Sequence, residues 1–170
     1  MSSRIASELK IMHACELGAT GVYRGHKCVA RYFFRSSIMD LDDMRSHEIS
    51  HADIFMELIK ERNCTPCFAY PLFFWGGLLY GVAIGVLGLK AIGTSTYTIE
   101  SIVNEELSAS IEILSEDRDI VKVLKEVKED EKKHQRTGKS LAATPHIMER
   151  IVAKIARLGA YSAKKLATIL

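Results

Sequence analysis

The chain has 170 residues, of which 48% are hydrophobic, and its formal net charge is +2 at pH 7. This length predicts one domain, residues 1–170, that buries about two-thirds of the surface exposed by the unfolded chain. The small net charge argues against nucleic acid as a partner. No glycine-rich phosphate loop follows a strand-like run, so the sequence also argues against a nucleotide-binding fold.

The first third of the chain predicts two helices. Apolar residues at helical spacing indicate a first helix from Arg4 to the low thirties. A second helix is predicted from Ser36-Ser37, where Ser37 and Asp40 form a capping-type step, to near Asn63.

An apolar segment without a charged residue follows, from Phe68 to Leu89. As a helix of about 33 Å it is long enough to span a bilayer, which is one interpretation. A second interpretation is favoured by the positions of the flanking helices along the bundle axis. In it the segment is the crossover of a helical bundle, and 68–92 lies on or dips into one leaflet. Glycines at every fourth position predict a smooth face for close helix contact: Gly77, Gly81 and Gly85.

Three more helices are predicted, from about Gly93 to Leu114, from about Asp119 to Arg136, and from near Pro145 almost to Leu170. From Arg136 onward the chain contains seven Lys or Arg residues and one acid, Glu149. This excess suits a surface that faces anionic lipid, and a solvated helix face is the alternative.

The cysteines do not predict a zinc or redox site. Only Cys64 and Cys67 have ligand-like spacing, and no second pair accompanies them. We therefore expect structural or incidental cysteines. The first fifteen residues lack the apolar region of a signal peptide, which favours a reducing compartment.

One pattern occurs twice, a Glu followed further along by a Glu-x-x-His step. Residues three apart leave the same face of a helix. A bundle that holds two iron or manganese ions needs one Glu from each of two helices and a Glu-x-x-His from each of the other two. The predicted ligands are Glu16, Glu48 and His51 in the first copy, and Glu100, Glu131 and His134 in the second.

The turns and the charges support this interpretation. In an antiparallel pair the ligands must be equally far from the turn, which places the turns near residues 33 and 116. Helix breaks occur at 34–37 and 115–117. Four buried carboxylates repel one another unless cations compensate them, and two divalent ions do so. The alternative is that these are surface acids, as the charged run around Glu131 suggests when taken alone. Glu105 and Glu106 are expected to face solvent.

The expected fold class is therefore all-α, a ferritin-like four-helix bundle with an apolar crossover helix and a C-terminal amphipathic helix. Five segments also carry a family resemblance, namely His13–Ala19, Val22–Gly25, Met44–His51, Thr96–Glu100 and Glu131–His134. Together they resemble the demethoxyubiquinone hydroxylases of ubiquinone biosynthesis, which are membrane-bound di-iron carboxylate proteins.

The resemblance implies a di-iron monooxygenase that hydroxylates the ring of a polyprenyl quinone precursor with O₂ and an external reductant, for which NADH is a candidate. The resemblance assigns the six metal ligands of the family to the six residues predicted above, with Glu48 and Glu131 as bridging carboxylates. It also implies a peripheral position on an inner membrane, with the mitochondrial matrix side favoured over the cytoplasmic face of a bacterial membrane. A homo-oligomer or a larger membrane complex is expected.

The chain departs from the family pattern around the ligands. Met12 replaces an Asp, Cys15 replaces a Gly, Glu106-Leu107 replaces a His-Tyr pair, and Gln135-Arg136 replaces a His and an Asp. Outer groups orient ligands and tune metals. The alternative function is therefore a non-catalytic structural subunit of a membrane complex that keeps the scaffold.

Overall fold

A computed structural model describes residues 3–142 and 146–170 of the chain. These residues form six α-helices and a short 3₁₀ helix, with no strand among them, which confirms the all-α prediction. The predicted helix start at Pro145 lies outside the described residues. The helices are α1 Ser3–Phe33, α2 Ile38–Glu61, α3 Tyr70–Val86, α4 Leu89–Ile113, α5 Arg118–Leu141 and α6 Ile147–Ile169.

Both predicted turns are confirmed. The 3₁₀ helix Arg35–Ser37 joins α1 to α2. Ser37 precedes α2 but its side chain makes no capping hydrogen bond, so the predicted step with Asp40 is wrong. Its ψ of 2° is already near-helical, whereas a capping side chain needs an extended backbone. At the second turn the Asp117 side chain does cap α5, by accepting from the backbone N–H of Ile120.

Two helix boundaries differ from the prediction. The break before α4 lies at Gly88, whose φ of 107° only glycine adopts readily, so α4 begins at Leu89 rather than at Gly93. Helix α5 continues past Arg136 to Leu141. Gly138 lies inside this helix and packs closely on α4, where a Cβ would lie 2.5 Å from the backbone nitrogen of Tyr97.

Helix α3 runs parallel to α1 and packs closely against it. A Cβ at Gly77 would lie 2.1 Å from the carbonyl oxygen of Gly18, and one at Gly81 would lie 2.2 Å from that of Val22. The predicted glycine contact face is thus confirmed. Among the helices of the described residues, none combines the length and the apolar character needed to cross a membrane.

The helices form two hairpins, α1 with α2 and α4 with α5, and α6 lies against α4 and α1. The largest core cluster lies on one side of the predicted ligands and includes Leu9, Phe55, Leu107, Ile120 and Leu124. Each such side chain contributes about 1.5–3 kcal/mol when fully buried. This apolar layer holds the four ligand-bearing helices together.

The cysteines have the packing expected of structural residues. Cys67 is fully buried in a small apolar cluster with Ala14 and Phe73. The Sγ atom of Cys64 contacts the backbone oxygen of Arg62 at 3.8 Å.

Candidate metal centre

The six predicted ligand side chains converge in the interior of the bundle. Helix α1 carries one of them, α2 two, α4 one and α5 two, as the sequence pattern predicts. Each residue is only 1–6% exposed: Glu16, Glu48, His51, Glu100, Glu131 and His134. The alternative of surface acids is therefore wrong for all of them. Their role as ligands remains a prediction.

The ligand atoms form two overlapping groups. One contains Glu16, Glu48, His51 and Glu131, and the other contains Glu48, Glu100, Glu131 and His134; within each group the ligand atoms lie within 4.8 Å of one another. Glu48 and Glu131 belong to both groups, as expected of carboxylates that bridge two ions.

The atoms at the centre fit a pair of metal ions. The Nδ1 atom of His134 lies 3.1 Å from Glu48 Oε1, and that of His51 lies 3.0 Å from Glu131 Oε1. Three of these buried atoms have no hydrogen-bond partner of good geometry in the described chain, namely Glu48 Oε1, Glu131 Oε1 and His51 Nδ1. Such atoms are costly when unsatisfied, and a bound cation would satisfy them.

The charges of the cluster are strongly coupled. Burial, together with the nearby Glu131 carboxylate, raises the pKa of Glu48 and of Glu100 well above the ordinary value. Burial alone would raise the pKa of Glu131 too, but its contacts with the rings of His134 and His51 bring the pKa below its usual value. For His51, burial is outweighed by the carboxylates of Glu131 and Glu16, which raise its pKa to about 10. Without cations the cluster therefore retains protons, which metal ions would replace.

Two side chains that the sequence analysis missed hold the histidines from outside. The Nε2 atom of His134 lies 3.0 Å from Nδ1 of His47. The Nε2 atom of His51 lies 3.5 Å from Oδ2 of Asp130. His47 is one helical turn before His51, so its spacing could have indicated a place on the same face. Asp130 likewise stands one helical turn before His134, so the same spacing could have indicated it.

A third missed residue is Tyr23, whose hydroxyl donates a hydrogen bond to Oε1 of Glu100. Burial and the charge of Glu100 raise the pKa of Tyr23 well above its usual value, so the phenol stays protonated as a donor. Tyr23 is two turns after Glu16 on α1, a spacing that places both on one face. This contact links α1 to α4 inside the centre.

An apolar cavity of about 370 Å³ adjoins the centre, between α1, α3, α4 and α6. The carboxylates of Glu16, Glu48 and Glu100 line its buried end. Exposed Leu72 on α3 and Tyr161 on α6 line its outer part. The cavity thus connects the candidate metal centre with the protein surface.

Glu106 also lines this cavity and its side chain is 36% exposed, so the expectation that it faces solvent holds only in part. Helix α6 packs over α4 there, and Lys164 of α6 donates a hydrogen bond to Glu106 Oε2. Glu105, the preceding residue, is exposed as expected.

Compared with known protein families, residues 3–167 match the one described as Ubiquinone biosynthesis protein COQ7. The chain belongs to this family. The match covers the six helices almost completely, and it includes all four helices that carry the predicted ligands.

Individual COQ7 relatives are distant in sequence. A Legionella pneumophila protein named 3-demethoxyubiquinol 3-hydroxylase is 25% identical over 157 residues, covering 91% of this chain and 73% of the relative. Two relatives are named NADPH-dependent 3-demethoxyubiquinone 3-hydroxylase, mitochondrial. The one from Dictyostelium discoideum is 22% identical, covering 76% of this chain and 61% of its own length. The one from Caenorhabditis elegans is 24% identical, covering 76% and 71%.

Proposed function

We propose that this protein is a di-iron monooxygenase that hydroxylates the ring of demethoxyubiquinone or demethoxyubiquinol in ubiquinone biosynthesis. The observation that carries the proposal is the pair of overlapping ligand groups at the buried end of an apolar cavity. The names of the relatives supply the reaction. We assign the whole chain, residues 1–170, to one catalytic domain.

Each ion would be held by one histidine and three carboxylates, two of which are shared. His51 and Glu16 would hold one ion, His134 and Glu100 the other, and Glu48 and Glu131 both. A bound iron pair would supply the binding and reduction of O₂, which side chains cannot perform. The mixed oxygen and nitrogen ligands suit iron, and manganese equally in principle. The protein's own task is to orient these ligands, through His47, Asp130 and Tyr23, and to keep water away.

The cavity suits a ring substituted with a long isoprenoid tail. Ligand cavities have typical volumes of about 300–1,000 Å³ and mainly apolar linings. The ring would lie near the carboxylates, and the tail would leave along the outer part of the cavity. O₂ would reach the centre by the same route.

We assign the surface around the cavity to the face of a bilayer. Helix α3 exposes Leu72, Trp75, Leu79 and Val86, with exposed fractions of 59–71%. Helix α6 exposes a second set of apolar side chains, including Ile147, Ile151, Leu158 and Ile169, beside basic residues that suit anionic lipid. A polyprenyl substrate resides in such a membrane, so a peripheral position brings the cavity to its substrate.

Location, assembly and reductant follow from the same proposal. The relatives from Dictyostelium and Caenorhabditis are named as mitochondrial. We favour the matrix face of the mitochondrial inner membrane, with the cytoplasmic face of a bacterial membrane as the alternative, and a homo-oligomer or larger complex as the assembly. Those relatives are also named NADPH-dependent. We therefore propose a reduced nicotinamide nucleotide as electron source, NADPH ahead of the NADH considered from the sequence.

The structural-subunit alternative rests on the altered residues around the ligands. The hydroxylase names of the relatives do not favour it. The complete set of buried carboxylates argues against it, because a site that no longer binds metal has no physical reason to keep mutually repelling charges.

The test combines metal analysis with quinone extraction. Purified wild-type protein is expected to bind about two iron ions per chain, as the two-ion bundles do. Glu100→Ala should abolish binding of the pair while leaving the metal-free fold intact, since it removes a carboxyl group that is costly to bury. Glu105→Ala, on the exposed face of the same helix, is the matched control.

Cells that lack the protein should accumulate the demethoxy precursor. Wild type and Glu105→Ala should restore the mature quinone, and Glu100→Ala should not. A normal quinone profile in the deletion strain, with a membrane complex that fails to assemble, would refute the enzyme and support the structural subunit.

A further inference from the structure

The cavity wall contains an ion pair that the proposed metal centre does not use. Lys164 on α6 donates a hydrogen bond to Glu106 on α4, and both half-buried side chains line the cavity. Their neighbours in the lining are mainly apolar, among them Val103, Leu107 and Ala163. The side chains of Lys164 and Glu106 are 41% and 36% exposed, and ion pairs so accessible to water contribute little to stability. Stability alone is therefore a weak reason for this pair.

The ion pair lies within reach of the candidate centre. Glu106 follows Glu100 by six residues on α4, which is about 9 Å along the helix axis, and both line the same cavity. Cys15, beside the predicted ligand Glu16, lines the same cavity as Glu106 and Lys164. A molecule in the cavity can thus touch Lys164 and approach the carboxylates at once.

We propose that Lys164 recognises an oxygen of the quinone or quinol ring in this cavity, and that Glu106 positions Lys164 for that contact. The inference rests on the function proposed above. An ammonium group has three donors, so Lys164 keeps two after its bond to Glu106. A ring oxygen is an acceptor, and quinones and quinols differ from plain hydrocarbons in possessing several of them. The apolar lining would hold the rest of the ring and the tail.

This arrangement assigns separate tasks to the two parts of the cavity. The apolar wall would bind any apolar molecule of suitable size, including an acyl chain of a lipid. Lys164 selects among these for a ring that offers an oxygen at the right place. Glu106 acts through Lys164, by restricting a flexible side chain to one direction.

Binding is measured on metal-free protein, so that the result is independent of turnover. The probes are a methoxybenzoquinone with a short prenyl tail and a prenylated benzene with the same tail but no ring oxygen. Lys164→Met keeps the length of the side chain and removes the charge. It should weaken quinone binding about tenfold or more and leave binding of the prenylated benzene unchanged.

The matched control is Lys165→Met, at the exposed neighbouring position of α6, which should leave both affinities unchanged. Glu106→Gln should weaken quinone binding by a smaller factor, because Lys164 remains but is less restricted. Lys164→Arg should retain part of the affinity. Thermal unfolding and iron content of each variant, both expected to match the wild type, separate these effects from misfolding.

Equal quinone affinity of Lys164→Met and the wild type would overturn the proposal, as would equal losses for the two probes, which would indicate a packing role only. If Glu106→Gln bound the quinone as tightly as the wild type, Glu106 would have no role in positioning Lys164. Hydroxylation with an unchanged kcat/KM in Lys164→Met would overturn this inference and leave the proposed function standing. If quinone binding depended on Lys164 but the protein had no hydroxylase activity, the role of Lys164 would stand and the proposed function would fall.

Discussion

The Nδ1 atom of His47 lies 3.0 Å from the Nε2 atom of His134, whose own Nδ1 atom faces the carboxylates of Glu48 and Glu131. A histidine that binds a metal through Nδ1 carries its proton on Nε2. His134 would then donate this proton to His47, which accepts it on Nδ1. The contact fixes both the tautomer and the ring orientation of His134, as outer partners of metal-bound histidines commonly do.

We predict that His47→Leu lowers the affinity for Fe²⁺ or Mn²⁺ about 10- to 100-fold, because His134 loses its outer acceptor. His47→Gln should recover part of this loss, since its amide oxygen can accept the same hydrogen bond. Ser46→Ala, at the exposed preceding position, is the control. Competition with a chelator gives the affinities, and equal values for His47→Leu and the wild type would refute the role of His47.

The stability of the metal-free protein should fall as the pH rises from about 5 to 9. The pKa values of Glu48 and Glu100 are raised by burial and by neighbouring carboxylates, so the folded state keeps protons that the unfolded state releases above about pH 4.3. The pKa of His51 is raised to about 10, so its contribution is complete below about pH 6.5 and is lost as the pH rises through 10. The lowered pKa of Glu131 acts only on the acid side of this window.

Urea unfolding across this range measures the effect, with an expected slope of up to about 1.4 kcal/mol per pH unit for each proton retained. The double variant Glu48→Gln, Glu100→Gln should reduce the slope. Reloading the wild type with Fe²⁺ should do the same, because the cations then replace the protons. A flat profile for the metal-free wild type would contradict the buried charge cluster.

Close packing of α3 on α1 predicts opposite results at two glycines. A Cβ at Gly81 would lie 2.2 Å from the carbonyl oxygen of Val22, whereas one at Gly76 would meet nothing within 4 Å. Gly81→Ala should therefore destabilise the fold by about 1–3 kcal/mol or more, through overpacking. Gly76→Ala should be neutral or stabilise by up to about 1 kcal/mol, because alanine favours helices. Denaturant unfolding compares them, and a tolerated Gly81→Ala would show that the two helices separate more easily than the structure indicates.

Asp117 stabilises the start of α5 and the turn that aligns Glu100 with Glu131. Its Oδ1 accepts from the Ile120 N–H at 3.1 Å, and its Oδ2 lies 2.9 Å from Nη2 of Arg62. Asp117→Ala should cost about 1–2 kcal/mol at pH 7, against little change for Asp119→Ala, which is exposed in the same turn.

The contribution of Asp117 should also disappear in acid. Burial alone would raise its pKa, but the Ile120 N–H and Arg62 outweigh burial and lower it. Its stabilisation is therefore present above about pH 3.9 and is lost as the pH falls through its lower folded value. The difference in unfolding free energy between wild type and Asp117→Ala should shrink below pH 4, and a constant difference would argue against an ionised cap.

Several features of the fold could be predicted because they are local. Apolar spacing, helix-start residues and one uncharged segment predicted the six helices, and the distances from Glu16 to Glu48 and from Glu100 to Glu131 located both turns. Two of the errors were also local in origin. The break before α4 lies at Gly88 rather than near Gly93, since only the backbone shows which glycine adopts a positive φ. Ser37 follows a 3₁₀ turn, so its side chain cannot cap.

The sequence by itself determined which six side chains meet, because a Glu-x-x-His step fixes two groups on one face of one helix and a short turn fixes the height of its partner. Only the tertiary structure decided what surrounds them. The contacts of His47, Tyr23 and Asp130, and the meeting of Glu106 with Lys164, join residues on different helices. Spacing can place a residue on the inner face of its own helix, but these contacts depend on how each helix is rotated and offset against the next, which is set by packing of the whole bundle.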